Sequence, residues 1–388
     1  MNLHVMNESV DCRIFICYAD TGGGHKHAAE AVRMAIEELV QDSQSVEVIV
    51  ETVIQKTNDL NYLFVELYNY LLRNHQNWVK YYWWIIELLK PNQTRLGYKL
   101  CGTYPKDTIV RVQPSVIVSV HPMVNHYIAL AMKDAGVAGK TKFVIVVTDP
   151  SACLWSGWAC TEADLIIAPN DLARDRLIDL GIAPDRISII GMPIEPMFLH
   201  PATVGREDLL SHLGLDPKLL TILLSGGWAG GGAVANIYQT LQQVTRPLQV
   251  VILCGHNDSL LTEMKQQKEQ SKLPTAVLSY TESLSSLMSA CDLLVTKGGG
   301  LTTFEAVARR LPMAIDLLTE PMPQEMGTVN MLIEANLAKP LRKVDDIVAI
   351  VESLKIMENR ESQALPTMHN LDRTEAIYDI AKTILSFC

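Results

Sequence analysis

Three glycines and a histidine, Gly22, Gly23, Gly24 and His25, stand between the apolar run RIFICYA and a segment whose Ala28, Val32, Ala35, Ile36 and Leu39 recur at spacings of three and four. The first run predicts a short strand, and the second a helix from about His25 to Val40 with one face buried. Strand, glycine turn and helix start together point bare backbone N–H groups and the positive end of a helix dipole at an anion. The glycines fit neither the Walker pattern, which ends in Gly-Lys-Ser/Thr, nor the dinucleotide fingerprint. A helix N-terminus disfavours an imidazolium, so His25 is expected to be neutral near pH 7 and able to accept a proton.

Two more glycine clusters, SGGWAGGG and TKGGGLTTFEA, follow apolar runs in the same way. The elements that must position all three are α/β. RIFICYA, SVEVIVET, PSVIVSV, KFVIVVT, ADLIIAP and ISIIG alternate with helical patterns, and TILLSGG, LQVVILCG, TAVLSY, DLLVTKGG and LPMAIDL repeat the alternation. This predicts two doubly wound, Rossmann-like units, residues 1–195 and 196–388, joined by a proline-punctuated linker from Met192 to about Asp216. A last helix, from about Thr374 to Phe387, is free by its pattern to pack on either unit. Ligands of open α/β sheets bind beyond the carboxyl ends of the strands, so glycine loops in both units imply a cleft between them. One glycine cluster alone often only permits a tight turn.

Composition narrows the function. The 388 residues carry a net charge of −10, which disfavours a general nucleic-acid binder. No apolar run approaches the roughly 20 residues of a membrane span, and MNLHVMNESVDC lacks the features of a secretory leader, so a cytoplasmic chain is expected. The eight cysteines show no C-x-x-C spacing and are expected to be reduced, with no structural metal or disulfide framework. Between Arg73 and Arg111, however, seven basic residues face two acidic ones, and 11 of the 24 aromatic residues lie between Tyr62 and Tyr104. Trp78, Lys80, Trp83, Trp84, Lys90 and Arg95 are what an anionic bilayer interface favours. A helix with its aromatic side in a core and its lysines merely solvated fits the same residues, and two faces of one element can do both.

The motifs also carry a family resemblance. DTGGGHKHAAEAV, SVHPMVNH, VVTDPSACLW, IIGMPIEPMF, LLSGGWAGGG, ILCGHND, LMSACDLLVTKGGGLTTFEAVARRLPMAI and MPQEMG, in this order, resemble the GT-B glycosyltransferases that include monogalactosyldiacylglycerol synthase, the processive diacylglycerol glucosyltransferases and, more distantly, MurG. The resemblance implies a GT-B fold and an inverting, metal-independent transfer of a hexose from UDP-glucose or UDP-galactose to a lipid, diacylglycerol first, by a peripheral enzyme on the inner membrane face. The lack of an Asp-x-Asp pair agrees with transfer needing no metal or other cofactor. In the donor site it places Gly298, Gly299, Gly300 and Thr302 at the diphosphate, Glu305 at the ribose hydroxyls, Gln324 and Glu325 at the sugar, Gly226 and Gly227 at the approach to the diphosphate, and Tyr280 with Thr281 near the uracil. It makes His25 the base, with Asp149 as its partner and Asp20 a weaker candidate for that place. Gly22, Gly23, Gly24 and His121 then belong to the acceptor side. Two positions depart from the pattern: TDPSACLWSGW has no histidine between its Asp and Trp, and Thr328 stands where relatives tend to have asparagine. A polyprenyl-linked acceptor, a non-catalytic sugar-nucleotide sensor and a sugar-nucleotide epimerase remain alternatives on the residues.

Overall fold

A computed structural model describes residues 11–41, 45–354 and 375–388; Thr374 and most of the N-terminal stretch read above lie outside them. The first sheet contains β1 (Cys12–Tyr18), β2 (Val46–Thr52), β3 (Val116–Ser119), β4 (Lys142–Val146), β5 (Leu165–Ala168) and β6 (Ile187–Ile189), in the order β2-β1-β3-β4-β5-β6. Its helices are α1 (Gly24–Val40), α2 (Asp59–Asn74), α3 (Gln76–Leu89), α4 (Arg95–Leu100), α5 (Tyr104–Val112), α6 (Asn125–Asp134) and α7 (Asp171–Asp179). After α8 (Arg206–His212), the second sheet holds β7 (Leu220–Ser225), β8 (Leu248–Leu253), β9 (Thr275–Leu278), β10 (Leu293–Thr296), β11 (Met313–Asp316) and β12 (Ala338–Leu341), ordered β12-β11-β10-β7-β8-β9. Around it lie α9 (Val234–Leu241), α10 (Asp258–Gln270), α11 (Leu284–Ala290), α12 (Gly300–Ala308), α13 (Pro323–Glu334) and α14 (Asp346–Ser353). The strands pair in parallel in both sheets. Helices on both faces explain the nearly continuous apolar strands: every residue of β7 and β8 is buried.

The last helix, α15 (Ala376–Leu385), lays Ile377, Ile380, Ala381 and Ile384 against the first lobe, packing chiefly on α1. This return brings the chain end beside β1 and overturns the expectation of reduced thiols there, because Cys12 and Cys388 form a disulfide. Their separation of 376 residues hid the pairing from any reading of spacing. The other six cysteines form no disulfide among the described residues, and five of them are buried.

Helices α2 and α3 form a hairpin with two apolar faces. Asn58 starts it by accepting from the Asn61 N–H at 2.9 Å, an N-cap that fixes where α2 begins. One face sends Leu72 and Val79 into a small cluster with Ala229, Trp228 and Met322 of the second lobe. The other leaves Leu60, Leu63, Phe64 and Leu67 of α2, and Tyr81, Trp84, Ile85 and Leu88 of α3, exposed at helical spacing; Leu63 and Leu88 are 63% and 65% exposed. Trp78 is exposed and Trp83 partly buried. The core reading of this segment therefore holds for the face turned to the second lobe, while the opposite face is apolar and exposed. Lys80 departs from its expected role, since its ammonium reaches 2.7 Å from Glu320 of the second lobe, while Lys90, Arg95 and Lys99 are exposed. Among the described residues no helix is long and apolar enough to cross a membrane.

Candidate active site

A cavity of about 620 Å³, within the usual range for small-ligand pockets, lies where the two lobes meet. Its first-lobe wall is the turn after β1. Gly22 and Gly23 have φ of +68° and +80°, a region open chiefly to glycine, and the space over Gly23 is taken by Trp228 of the other lobe, so a side chain there would collide. The turn is braced from α2, where Asn69 accepts from the Gly22 N–H and donates to the Asp20 carbonyl. Opposite, α12 follows its N-cap Gly299 with no side-chain cap, so its first N–H groups lack an intrahelical partner, and Gly299 to Thr302 line the cavity. Two helix N-termini thus open onto one space.

His25 lies on the cavity wall at the start of α1. Its Nδ1 is 2.8 Å from the Val120 carbonyl, with the Thr148 hydroxyl 3.3 Å away. A carbonyl only accepts, so Nδ1 carries the proton and Nε2 keeps a lone pair. Burial lowers the His25 pKa to about 4, and the ring is neutral at pH 7. The partner expected for it was Asp149; the end of β3 supplies a backbone carbonyl instead. Asp149 lines the cavity, accepts from the Trp158 indole N–H at 2.6 Å and has its pKa raised to about 6 by burial. Asp20 does not line the cavity. His121 does not either: it is buried behind His25, ring centroids 4.1 Å apart, its Nδ1 accepting from the Met123 N–H and its Nε2 donating to the Thr21 hydroxyl at 2.8 Å. With both nitrogens engaged it supports the turn and faces no acceptor.

On the second lobe, Gly227, Tyr280, Thr281, Gly299, Gly300, Thr302, Glu305, Gln324 and Glu325 line the cavity. Gly226 and Gly298 do not, contrary to expectation. A Cβ on Gly226 would come within 2.8 Å of the Gly231 backbone, and one on Gly298 would strike Val329 of α13, so both are glycine for packing. Gly300 is close-packed against the first lobe, where its Cβ would stand 3.0 Å from the Thr148 carbonyl. Glu305 is buried with Oε2 unpaired among the described residues, and burial raises its pKa to about 8. Glu325 is also raised by burial and accepts from the Met322 N–H at 3.3 Å, which caps α13. The Gln324 carbonyl accepts from Ser151 of the first lobe at 3.3 Å. Thr328 is buried in α13, away from the cavity.

Sequence reasoning missed His27, Glu195, Trp228 and Lys297, all on the cavity wall. His27 Nδ1 lies 2.6 Å from Glu195, which raises its pKa, and its Nε2 is 3.4 Å from the Tyr280 hydroxyl across the cleft. Tyr280 stacks on His256, centroids 4.6 Å apart. Each of the four sits inside a motif already singled out, next to the residues that drew attention. Outside the cleft, donor atoms of His126, Cys160 and Glu162 lie within 4.8 Å of one another, with Glu162 paired to Lys133.

Residues 25–194 match the family described as monogalactosyldiacylglycerol (MGDG) synthase, and residues 231–384 match the glycosyltransferase family 28 C-terminal domain. A probable chloroplastic monogalactosyldiacylglycerol synthase of Nicotiana tabacum is 28% identical over 87% of this chain, which spans 64% of that protein's length. Monogalactosyldiacylglycerol synthase 2 of Arabidopsis thaliana is 26% identical over 96% of this chain and 80% of its own. Among solved structures, MurG of Acinetobacter baumannii aligns with a TM-score of 0.56 at 13% identity, covering 96% of this chain and 99% of its own. A UDP-GlcNAc 2-epimerase of Neisseria meningitidis aligns at 0.59 and 13%, covering 96% and 100%. Those two likenesses speak for the fold, GT-B. With one domain matched in each lobe, the chain is similar over both to the glycosyltransferases of the monogalactosyldiacylglycerol synthase family.

Proposed function

We propose that the protein transfers a hexose from a UDP-sugar to the free hydroxyl of diacylglycerol at a membrane surface, with inversion and without a metal ion. The names of its relatives favour galactose over glucose. The observation that carries the reading is His25: a neutral imidazole whose Nδ1 is committed to the Val120 carbonyl and whose Nε2 has no hydrogen-bond partner among the described residues, set on the wall of a cavity between two helix N-termini. The acceptor oxygen attacks the anomeric carbon as its proton passes to Nε2, and the bond from that carbon to UDP breaks on the opposite side. The charge released on UDP is met by the N–H groups at the start of α12, fixed before reaction begins. Asp149, on the same wall, supplies a negative charge that favours the imidazolium. Glu305 takes the ribose, and Gln324 with Glu325 takes the sugar hydroxyls. The outward face of the α2–α3 hairpin, apolar with Lys90, Arg95 and Lys99 exposed nearby, supports peripheral seating on anionic lipid. Tyr68 and Leu72, on the inner side of α2, line the cavity, so the seated face and the acceptor site share one helix.

Incubating the purified chain with labelled UDP-galactose or UDP-glucose and diacylglycerol vesicles is expected to yield a monohexosyl lipid, identified by mass spectrometry. His25→Ala should lower turnover by about 10²–10⁴-fold while UDP still binds. Product from neither donor, or full turnover by His25→Ala, rejects the assignment.

A further inference from the structure

Lys297 stands between the end of β10 and the Gly298–Gly300 turn, on the cavity wall. Its stem runs along the other glycine loop: a Cβ on Gly232 would lie 3.6 Å from Lys297 Cγ and Cδ, and one on Gly227 would lie 3.8 Å from its Cε. The ammonium therefore ends where the glycine turn after β7 and the start of α12 converge. It makes no hydrogen bond or ion pair among the described residues, though Asp316 and Glu325 are near enough to act on its charge. Both carboxylates have other work, since Asp316 accepts from the Ala233 and Leu318 N–H groups at 2.8 and 2.9 Å and Glu325 caps α13. Burial lowers the ammonium's pKa. A largely buried cation without a hydrogen-bonded acceptor is costly to keep unless an anion completes it.

We infer that Lys297 is a catalytic residue that grips the diphosphate of the sugar nucleotide and neutralises the negative charge growing on it as the sugar departs. The inference rests on the UDP-sugar reading above. A compact ammonium is suited to phosphate as a point charge, and in a site closed to bulk water it acts at full strength on charge that appears only during reaction. Helix N–H groups carry partial charges; Lys297 adds a whole one at the junction of both glycine turns.

The test compares UDP with uridine, two ligands that differ in the diphosphate alone. In titration calorimetry, Lys297→Met is expected to weaken UDP about 10–100-fold and uridine less than twofold, with Lys297→Arg nearer to the unaltered protein. In turnover, kcat should fall by a larger factor than KM rises. UDP affinity within twofold of the unaltered protein overturns the inference. So does a parallel loss of UDP and uridine, which marks a collapsed site, or a loss confined to the intact sugar nucleotide, which marks a role at the sugar. If the variants do not fold, the unaltered chain serves: UDP, and not uridine, should shield Lys297 from reductive methylation, and equal labelling with and without UDP overturns the inference. Absence of UDP binding by the unaltered protein removes the donor-site reading itself, an outcome distinct from any effect confined to the variants.

Discussion

Glu305 shows how far a single residue's role depends on its surroundings. Its carboxyl is buried, with Oε2 unpaired among the described residues and a pKa of about 8, so at pH 7 the free protein holds it mostly as the neutral acid. Glu195 adds to the rise, while the neighbouring His27, drawn toward its charged form by Glu195, opposes it. If the ribose hydroxyls donate to the ionised carboxylate, only the deprotonated fraction is competent, and apparent affinity scales with that fraction. The sign follows directly: UDP binding should strengthen as pH rises toward 8.5 and then level off. From pH 7 to 8.5 the gain is about eightfold for a pKa near 8, and Glu305→Gln should abolish it, both measurable by calorimetry. A flat profile in the unaltered protein would reject the ionised acceptor. His25, Glu305 and the Gln324–Glu325 pair were legible in the sequence because motif and helix position marked them. The Val120 carbonyl that orients His25 was not, because any residue type supplies one and only the end of β3 places it. Gly226 and Gly298 were misjudged for the same reason, since a glycine required by packing looks like one required by a phosphate.

At the scale of elements, eleven of the twelve strands among the described residues announced themselves as apolar runs. The twelfth, β12, is four residues at a sheet edge containing Lys339 and Pro340, too short and too polar to stand out. The α2–α3 hairpin was half legible, because its doubled apolar pattern could not tell the face turned to Trp228 from the face turned outward. The structure separates the two, and this sharpens what a lipid-binding test must alter. Reversing charge at Lys80 would break its pair with Glu320 and confuse seating with lobe contact. Lys90→Glu with Arg95→Glu addresses exposed charges alone. At about 1 kcal/mol for each cation near an anionic surface, losing the two should weaken binding to anionic vesicles at least about 30-fold, with neutral vesicles little affected. Trp84→Ser with Leu88→Ser should weaken both kinds. Vesicle sedimentation reads each outcome, and unchanged binding by all of these variants would rule out the hairpin as the seating face.

For the whole molecule, the fold depends on a return that no local pattern disclosed. Helix α15 follows the second lobe in sequence but buries Ile377, Ile380 and Ile384 with the first, and the Cys12–Cys388 bond fastens its end beside the first strand. The bond ties residues that the unfolded chain would hold far apart, and such a link stabilises mainly by limiting that unfolded ensemble, typically by 2–4 kcal/mol. Reduction, or Cys388→Ser, should therefore lower the first thermal transition by about 5–10 °C for a unit of this size. The transition concerned is that of the first lobe with α15, since two lobes need not unfold as one. UDP affinity should stay within twofold, because neither cysteine approaches the cavity and the donor-side residues belong to the second lobe. A reducing compartment keeps such a pair as thiols, so the comparison also measures how well α15 holds by its isoleucines alone. Identical melting of the oxidised and reduced protein would show that packing suffices and that the bond adds nothing to the tie between chain ends.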